Sequence, residues 1–122
     1  MWVRVAASLG FLAVALGAFG AHALRGKVSD TYLNAWQTGV LYHALHAVAL
    51  LALALYGRAT GQKITLPAAL FVAGIVLFAG SLYAMALTGV TRLGIITPFG
   101  GLSFLAGWAA LFVTLGSERS KT

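Results

Sequence analysis

Four long apolar stretches cover most of the chain, and polar residues collect in the short segments between them. The stretches lie at about Val3–Leu24, Leu33–Tyr56, Leu66–Leu87 and Thr97–Leu115. Each meets or approaches the roughly 20 residues that a helix needs to cross a ~30 Å hydrocarbon core. None shows the polar and apolar alternation of a membrane β-strand, which is about 10 residues long. The pattern therefore predicts four transmembrane helices.

The short connections restrict how these helices can pack. Short loops make consecutive helices antiparallel neighbours. We therefore expect an all-α, polytopic membrane protein with four transmembrane helices in an up-down antiparallel bundle. Residues 1–122 are expected to form a single transmembrane domain. Ser29 or Asp30 is predicted to cap the second helix, and Thr97 followed by Pro98 to begin the fourth.

Composition supports a lipid environment. Only 8% of the residues are charged and 61% are hydrophobic, whereas about a quarter of the residues in a soluble domain are charged. The net charge is +6, but the basic residues occur in ones and twos near helix ends. Such scatter indicates contact with lipid headgroups and argues against nucleic acid, which requires a basic face.

The distribution of basic residues predicts an orientation. An even number of spans places both termini on one side of the membrane. That side holds Arg4, Arg58, Lys63, Arg119 and Lys121, and the other holds Arg25, Lys27 and Arg92. Basic residues are enriched on the cytoplasmic side, so the termini are expected in the cytoplasm, with the protein in the cell inner membrane.

The end of the first stretch raises the question of a signal peptide. Arg4, the apolar core and the small residues flanking His22 (Ala21 and Ala23) imitate a cleavable secretory signal. The apolar stretch is longer than an ordinary signal core. We therefore expect it to be kept as the first transmembrane helix.

Three histidines are the main candidates for a functional site. His43 and His46 lie near the centre of the second helix, and their spacing puts them on neighbouring parts of one face. His22 lies near the end of the first helix, and Tyr83 of the third helix falls at similar depth. Ionisable side chains inside a membrane face protein or a cavity. The sequence therefore predicts an intramembrane pocket lined by His22, His43, His46 and Tyr83.

The same histidines admit other interpretations. They can join helices through hydrogen bonds to Tyr83, Ser81, Thr97 or main-chain carbonyls. Two imidazoles on different helices, such as His22 with His43 or His46, could ligate a haem, and zinc or copper could use all three. Three neutral ligands without an anion make a metal site a weak alternative, and no cofactor is predicted.

Catalytic motifs are absent from the sequence. The chain has no Cys, and its only acids are Asp30 in a loop and Glu118 in the tail. Acid–base chemistry with paired carboxylates is therefore excluded. An enzyme is not expected.

Small residues predict where the helices approach each other. Ala6, Gly10, Ala13, Gly17 and Ala21 recur along the first helix, and Ser103 and Gly107 along the fourth. Such stripes allow close packing in lipid. Gly100 and Gly101 fit either a close helix crossing or an anionic headgroup bound at exposed N–H groups.

Five segments resemble the YgdD-type family of small bacterial inner-membrane proteins. They are LGAFGAHAL (Leu16–Leu24), WQTGVLYHALH (Trp36–His46), FAGSLY (Phe78–Tyr83), ALTG (Ala86–Gly89) and ITPFGG (Ile96–Gly101). The resemblance covers nearly the whole chain in order. It implies a four-span membrane protein from a family of unknown function, and it supplies no catalytic residue.

These observations favour a binding protein over an enzyme. The first hypothesis is that the histidine-lined pocket holds a lipid-like or amphipathic small molecule, or a membrane partner, with membrane lipids as the surrounding partners. The alternative is a small-solute transporter or channel, which would require a homo-oligomer because four helices enclose little space. A haem-ligating redox module is the third hypothesis.

Overall fold

The computed structural model describes residues 1–116, and all its regular structure is helical. The four long helices are α1 (Trp2–Leu24), α2 (Asp30–Thr60), α3 (Thr65–Thr88) and α4 (Thr97–Gly116), and a short 3-10 turn at Thr91–Ile95 precedes α4. Each is long and apolar enough to span a membrane. The predicted all-α, four-span fold is confirmed.

The ends of the helices follow from local chemistry. The hydroxyl of Ser29 accepts a hydrogen bond from the Tyr32 N–H at 3.2 Å, which confirms one of the two predicted caps. Helices α2 and α3 are followed by Gly61 and Gly89, with φ of 74° and 73°. Glycine adopts this left-handed conformation without a Cβ clash, so it ends a helix cleanly. The polar loops keep successive helices antiparallel.

Two helices contain a π-helical segment. The last turn of α1, Gly20–Leu24, and the middle of α3, Ile75–Ala79, both have this wider turn. A π turn inserts one residue into the helix and shifts the side chains that follow it. In α3 the segment carries Phe78, whose main chain lies against Gly100 of α4.

The helices pack in chain order. Helix α1 packs on α2, α2 packs on α3, and α3 packs on α4. The main core lies between α2, α3 and α4 and includes Leu50, Phe71, Ile75 and Phe104. A smaller cluster around Trp36 joins α1 and α2 to the end of α3.

The small-residue stripe predicted on α1 agrees with the α1–α2 contact in part. Ala6, Ala13 and Gly20, seven residues apart, are the buried small residues of α1. A Cβ added to Gly10 would meet nothing within 4 Å, and Ala21 is exposed. Gly17 also approaches α2, since its Cβ would lie 3.3 Å from a Val40 methyl carbon. Arg119, Lys121, Glu118 and the predicted polar tail beyond Gly116 lie outside the described residues.

Candidate functional site

His43 joins the second and third helices. Its Nδ1 forms a 2.9 Å hydrogen bond with the Tyr83 hydroxyl, and only 3% of the residue is exposed. Its Nε2 is buried and has no hydrogen-bond partner within residues 1–116. The main-chain carbonyl of Leu9 in α1 approaches the ring without completing such a bond. His43 therefore sits at the junction of α1, α2 and α3.

His46 points to a different neighbour, α4. Its Nδ1 is 2.8 Å from the Tyr42 carbonyl, and its Nε2 is 3.0 Å from Trp108 Nε1. A carbonyl can only accept and an indole N–H can only donate. His46 Nδ1 must therefore carry the proton, and Nε2 accepts from Trp108. Both ring nitrogens of His46 are therefore hydrogen-bonded. The ring is a neutral imidazole, and its two partners fix its tautomer.

Aromatic rings surround the His46 side chain. It stacks on Phe104 with ring centroids 3.7 Å apart and planes 9° apart. The edges of Phe71 and Trp108 meet it at 5.3 Å and 5.9 Å. With 2% of its surface exposed, His46 is packed as an aromatic residue of the α2–α4 contact.

The structure does not bring the predicted site residues into one cluster. His43 and Tyr83 are in contact, His46 faces α4, and His22 is exposed near the end of α1. Over residues 1–116, no group of three His, Cys, Asp or Glu side chains is arranged to hold a metal ion. Haem ligation by His46 would require breaking its bond to Tyr42 or to Trp108.

Beside His46, a groove of about 620 Å³ opens on the membrane-facing side between α2 and α4. We call it the aromatic groove. Its lining consists of Tyr42, Leu45, His46, Phe78, Pro98, Gly101, Leu102, Phe104, Leu105 and Trp108. Because His46 and Phe78 lie near the midpoints of α2 and α3, the groove lies near the centre of the bilayer. Of the three histidines, only His46 lines it.

The shape of the groove depends on close contacts between α3 and α4. The main chain of Gly100 lies against that of Phe78, and Gly107 lies against the ring of Phe71. The Ser103 hydroxyl donates to the Leu70 carbonyl at 2.7 Å. The Gly100 contact favours the helix-crossing interpretation of the Gly100-Gly101 pair.

A second polar contact joins the start of α4 to α3. The hydroxyls of Ser81 and Thr97 are 2.6 Å apart, and Ser81 also donates to the Phe78 carbonyl at 2.9 Å. Since Ser81 uses its one proton on that carbonyl, Thr97 donates to Ser81. The two residues tie α3 to α4 and do not contact a histidine.

The aromatic side of the site was not predicted from the sequence. Tyr42 and His46 are four residues apart on α2, and Phe104 and Trp108 are four residues apart on α4. Residues at this spacing share one helix face. The sequence therefore indicated an aromatic face on each of the two helices at similar depth. Whether these two faces meet depends on how each helix is rotated about its axis, which the sequence does not show.

Comparison with known proteins identifies the family. Residues 16–101 match the family model described as "Protein of unknown function (DUF423)". The chain belongs to this family. The matched range includes His22, His43, His46 and Tyr83 and ends before Phe104 and Trp108. The function of the DUF423 family is not known, and the YgdD-type name remains a resemblance.

Relatives of this DUF423 protein are curated as membrane proteins. UPF0382 membrane protein YwdK of Bacillus subtilis is 49% identical over 84% of this chain and 85% of its own length. UPF0382 membrane protein SAB0533 of Staphylococcus aureus is 40% identical over 93% of both chains. No solved structure matches the chain. The protein is therefore a membrane protein of an uncharacterised family.

Proposed function

We propose that this protein binds an amphipathic, lipid-like small molecule in the aromatic groove. The observation that carries the proposal is the groove itself, about 620 Å³ in volume and floored by aromatic rings. Small-molecule sites are typically about 300–1,000 Å³, largely apolar, and carry a few polar groups. The groove has this size and composition.

The wall of the groove is held in place before any ligand arrives. The Trp108–His46 hydrogen bond and the His46–Phe104 stack fix three of its side chains relative to one another. A preformed site loses less side-chain entropy when it binds. His46 thus has a positioning role, and the His43–Tyr83 pair serves to join α2 to α3.

The proposed location is the cell inner membrane, with both termini in the cytoplasm. Three basic residues in the described part of the chain lie on the side of the termini: Arg4, Arg58 and Lys63. In the full sequence Arg119 and Lys121 raise that number to five, against three on the opposite side. The excess of basic residues favours this orientation.

Filling the groove tests the proposal. A leucine at Gly101, which lines the groove, would occupy part of its volume. Gly10→Leu is the matched control, because a Cβ at Gly10 meets nothing within 4 Å and Gly10 lies outside the groove. Native mass spectrometry from mild detergent should detect a small molecule retained by the wild type and by Gly10→Leu, and lost from Gly101→Leu.

The same mass spectra can also contradict the proposed function. If all three proteins retain the same molecules in the same amounts, the aromatic groove is not the binding site. If the wild type retains none and none can be added back, the binding function is wrong. A homo-oligomer in these spectra would provide the assembly that a transporter or channel requires.

A further inference from the structure

We propose that the occupant of the aromatic groove is a quinone-like amphiphile, recognised through a hydrogen bond from the Tyr42 hydroxyl. Such a molecule has a planar conjugated ring with carbonyl oxygens and an apolar tail. This inference rests on the proposed function and specifies its ligand. An ordinary lipid acyl chain is the competing occupant.

Tyr42 supplies the donor. Its side chain lines the groove and is 39% exposed. Its hydroxyl has no hydrogen-bond partner anywhere in residues 1–116, although its carbonyl accepts from His46. A polar group without a partner is costly in hydrocarbon, because no water is present to replace the missing bond. A ligand with an acceptor atom at this depth would remove that cost.

The other polar groups of the groove are already engaged. Only Tyr42, His46 and Trp108 among the lining residues have a side-chain nitrogen or oxygen. The Nδ1 proton of His46 is used by the Tyr42 carbonyl, and the Trp108 N–H is used by His46. The groove therefore offers one free side-chain donor and no free side-chain N–H.

This donor distinguishes the two occupants. Tyr42 lies four residues before His46, near the middle of the 31-residue α2. An acyl chain that reaches this depth carries only hydrogen and carbon, so it would leave the hydroxyl unpaired. The carbonyl oxygen of a quinone ring can accept from it. The polar chemistry of the groove therefore matches a quinone ring better than a lipid acyl chain.

The surrounding rings provide a surface for a planar ligand. Tyr42 packs against Phe78 with centroids 4.7 Å apart, and Phe78 packs against Phe104 at 5.6 Å. Tyr42 and Phe104 lie nearly parallel, with 15° between their planes. Aromatic rings attract one another in offset-stacked and edge-to-face arrangements. A conjugated ring can extend this cluster on its membrane-facing side.

The test uses decyl-benzoquinone as the probe, titrated into the full-length protein in nanodiscs. Quenching of tryptophan fluorescence reports binding, because Trp108 lines the groove whereas Trp2 and Trp36 do not. Tyr42→Phe removes only the hydroxyl and should weaken binding about 3- to 10-fold, the range for one lost hydrogen bond. Tyr32→Phe is the matched control: it removes a hydroxyl that bonds the Gly89 carbonyl outside the groove. It should leave the affinity unchanged.

Decylbenzene, which has the same tail and no carbonyl, separates the two proposals. We expect it to displace the quinone only at much higher concentration. If it competes equally, or if Tyr42→Phe binds the quinone as the wild type does, recognition of the carbonyl is overturned while an amphiphile site remains. If neither compound binds and native spectra retain no lipid, both this inference and the proposed function fail.

Discussion

The main chain of Gly100 in α4 lies directly against the main chain of Phe78 in α3. A Cβ at position 100 would overlap the backbone of Phe78, which cannot move aside as the end of a flexible side chain can. The contact falls on the π-helical segment Ile75–Ala79. The closest approach of the two helices therefore coincides with the irregular turn of α3, at the edge of the aromatic groove.

Gly100→Ala should consequently destabilise the protein. The added methyl must push α3 and α4 apart, and overpacking of this kind costs about 1–3 kcal/mol. Gly101→Ala is a control at the next position, since its Cβ would lie 4.0 Å from the Phe78 ring, an ordinary contact distance. Equilibrium unfolding in detergent micelles measures both. Equal stability of the two variants would contradict the backbone contact.

The bond between Trp108 and His46 should contribute measurably to the α2–α4 contact. Trp108→Phe leaves His46 Nε2 without its donor, and His46→Phe removes the acceptor while keeping a stackable ring. Interhelical hydrogen bonds in membranes have coupling energies averaging about 0.6 kcal/mol, with a maximum near 1.7. A double-mutant cycle of unfolding free energies should give a value in this range.

A second cycle provides the control for that measurement. Trp2→Phe changes an indole at the start of α1, far along the chain from His46 and without a hydrogen bond to it. Its effect should add to that of His46→Phe. Coupling of the same size in both cycles would mean that the first does not report the Trp108–His46 bond.

The number, length and order of the helices could be predicted, because they depend only on the lengths of the apolar stretches and of the loops between them. A span must be about 20 apolar residues long, and a short loop allows only an antiparallel neighbour. The Ser29 cap was predictable for a similar reason, since it depends on the residues of one turn. The π segments at Gly20–Leu24 and Ile75–Ala79 have no comparable local signal in the sequence.

The rotation of α2 about its own axis could not be predicted from the sequence. His43 and His46 differ by three residues, which is a rotation of about 60° around the axis of a 3.6-residue helix. That angle is enough to turn one toward Tyr83 of α3 and the other toward Trp108 of α4. His22 is exposed because α1 packs mainly on α2 and leaves most of its surface uncovered.

Substitutions at Tyr83 and His43 should be non-additive. Tyr83→Phe leaves Nδ1 of His43 unpaired beside an Nε2 that already lacks a partner. An unsatisfied buried polar group costs about 1–3 kcal/mol, whereas replacing both partners by apolar groups can be nearly neutral. The double variant His43→Leu with Tyr83→Phe should therefore be more stable than Tyr83→Phe alone. Thermal unfolding of the wild type, both single variants and the double variant measures this. Additive effects, or a double variant less stable than Tyr83→Phe alone, would contradict the coupling between His43 and Tyr83.

The proposed orientation predicts opposite labelling of two loops. The chain has no Cys, so each introduced thiol is the only one that can react. Lys63→Cys lies in the loop between α2 and α3, on the side of the termini, and Lys27→Cys lies in the loop between α1 and α2. Both positions are exposed. With cytoplasmic termini, a membrane-impermeant maleimide added to intact spheroplasts should label Lys27→Cys and reach Lys63→Cys only after permeabilisation. The opposite pattern would place the termini outside, and labelling of both before permeabilisation would contradict the four-span topology.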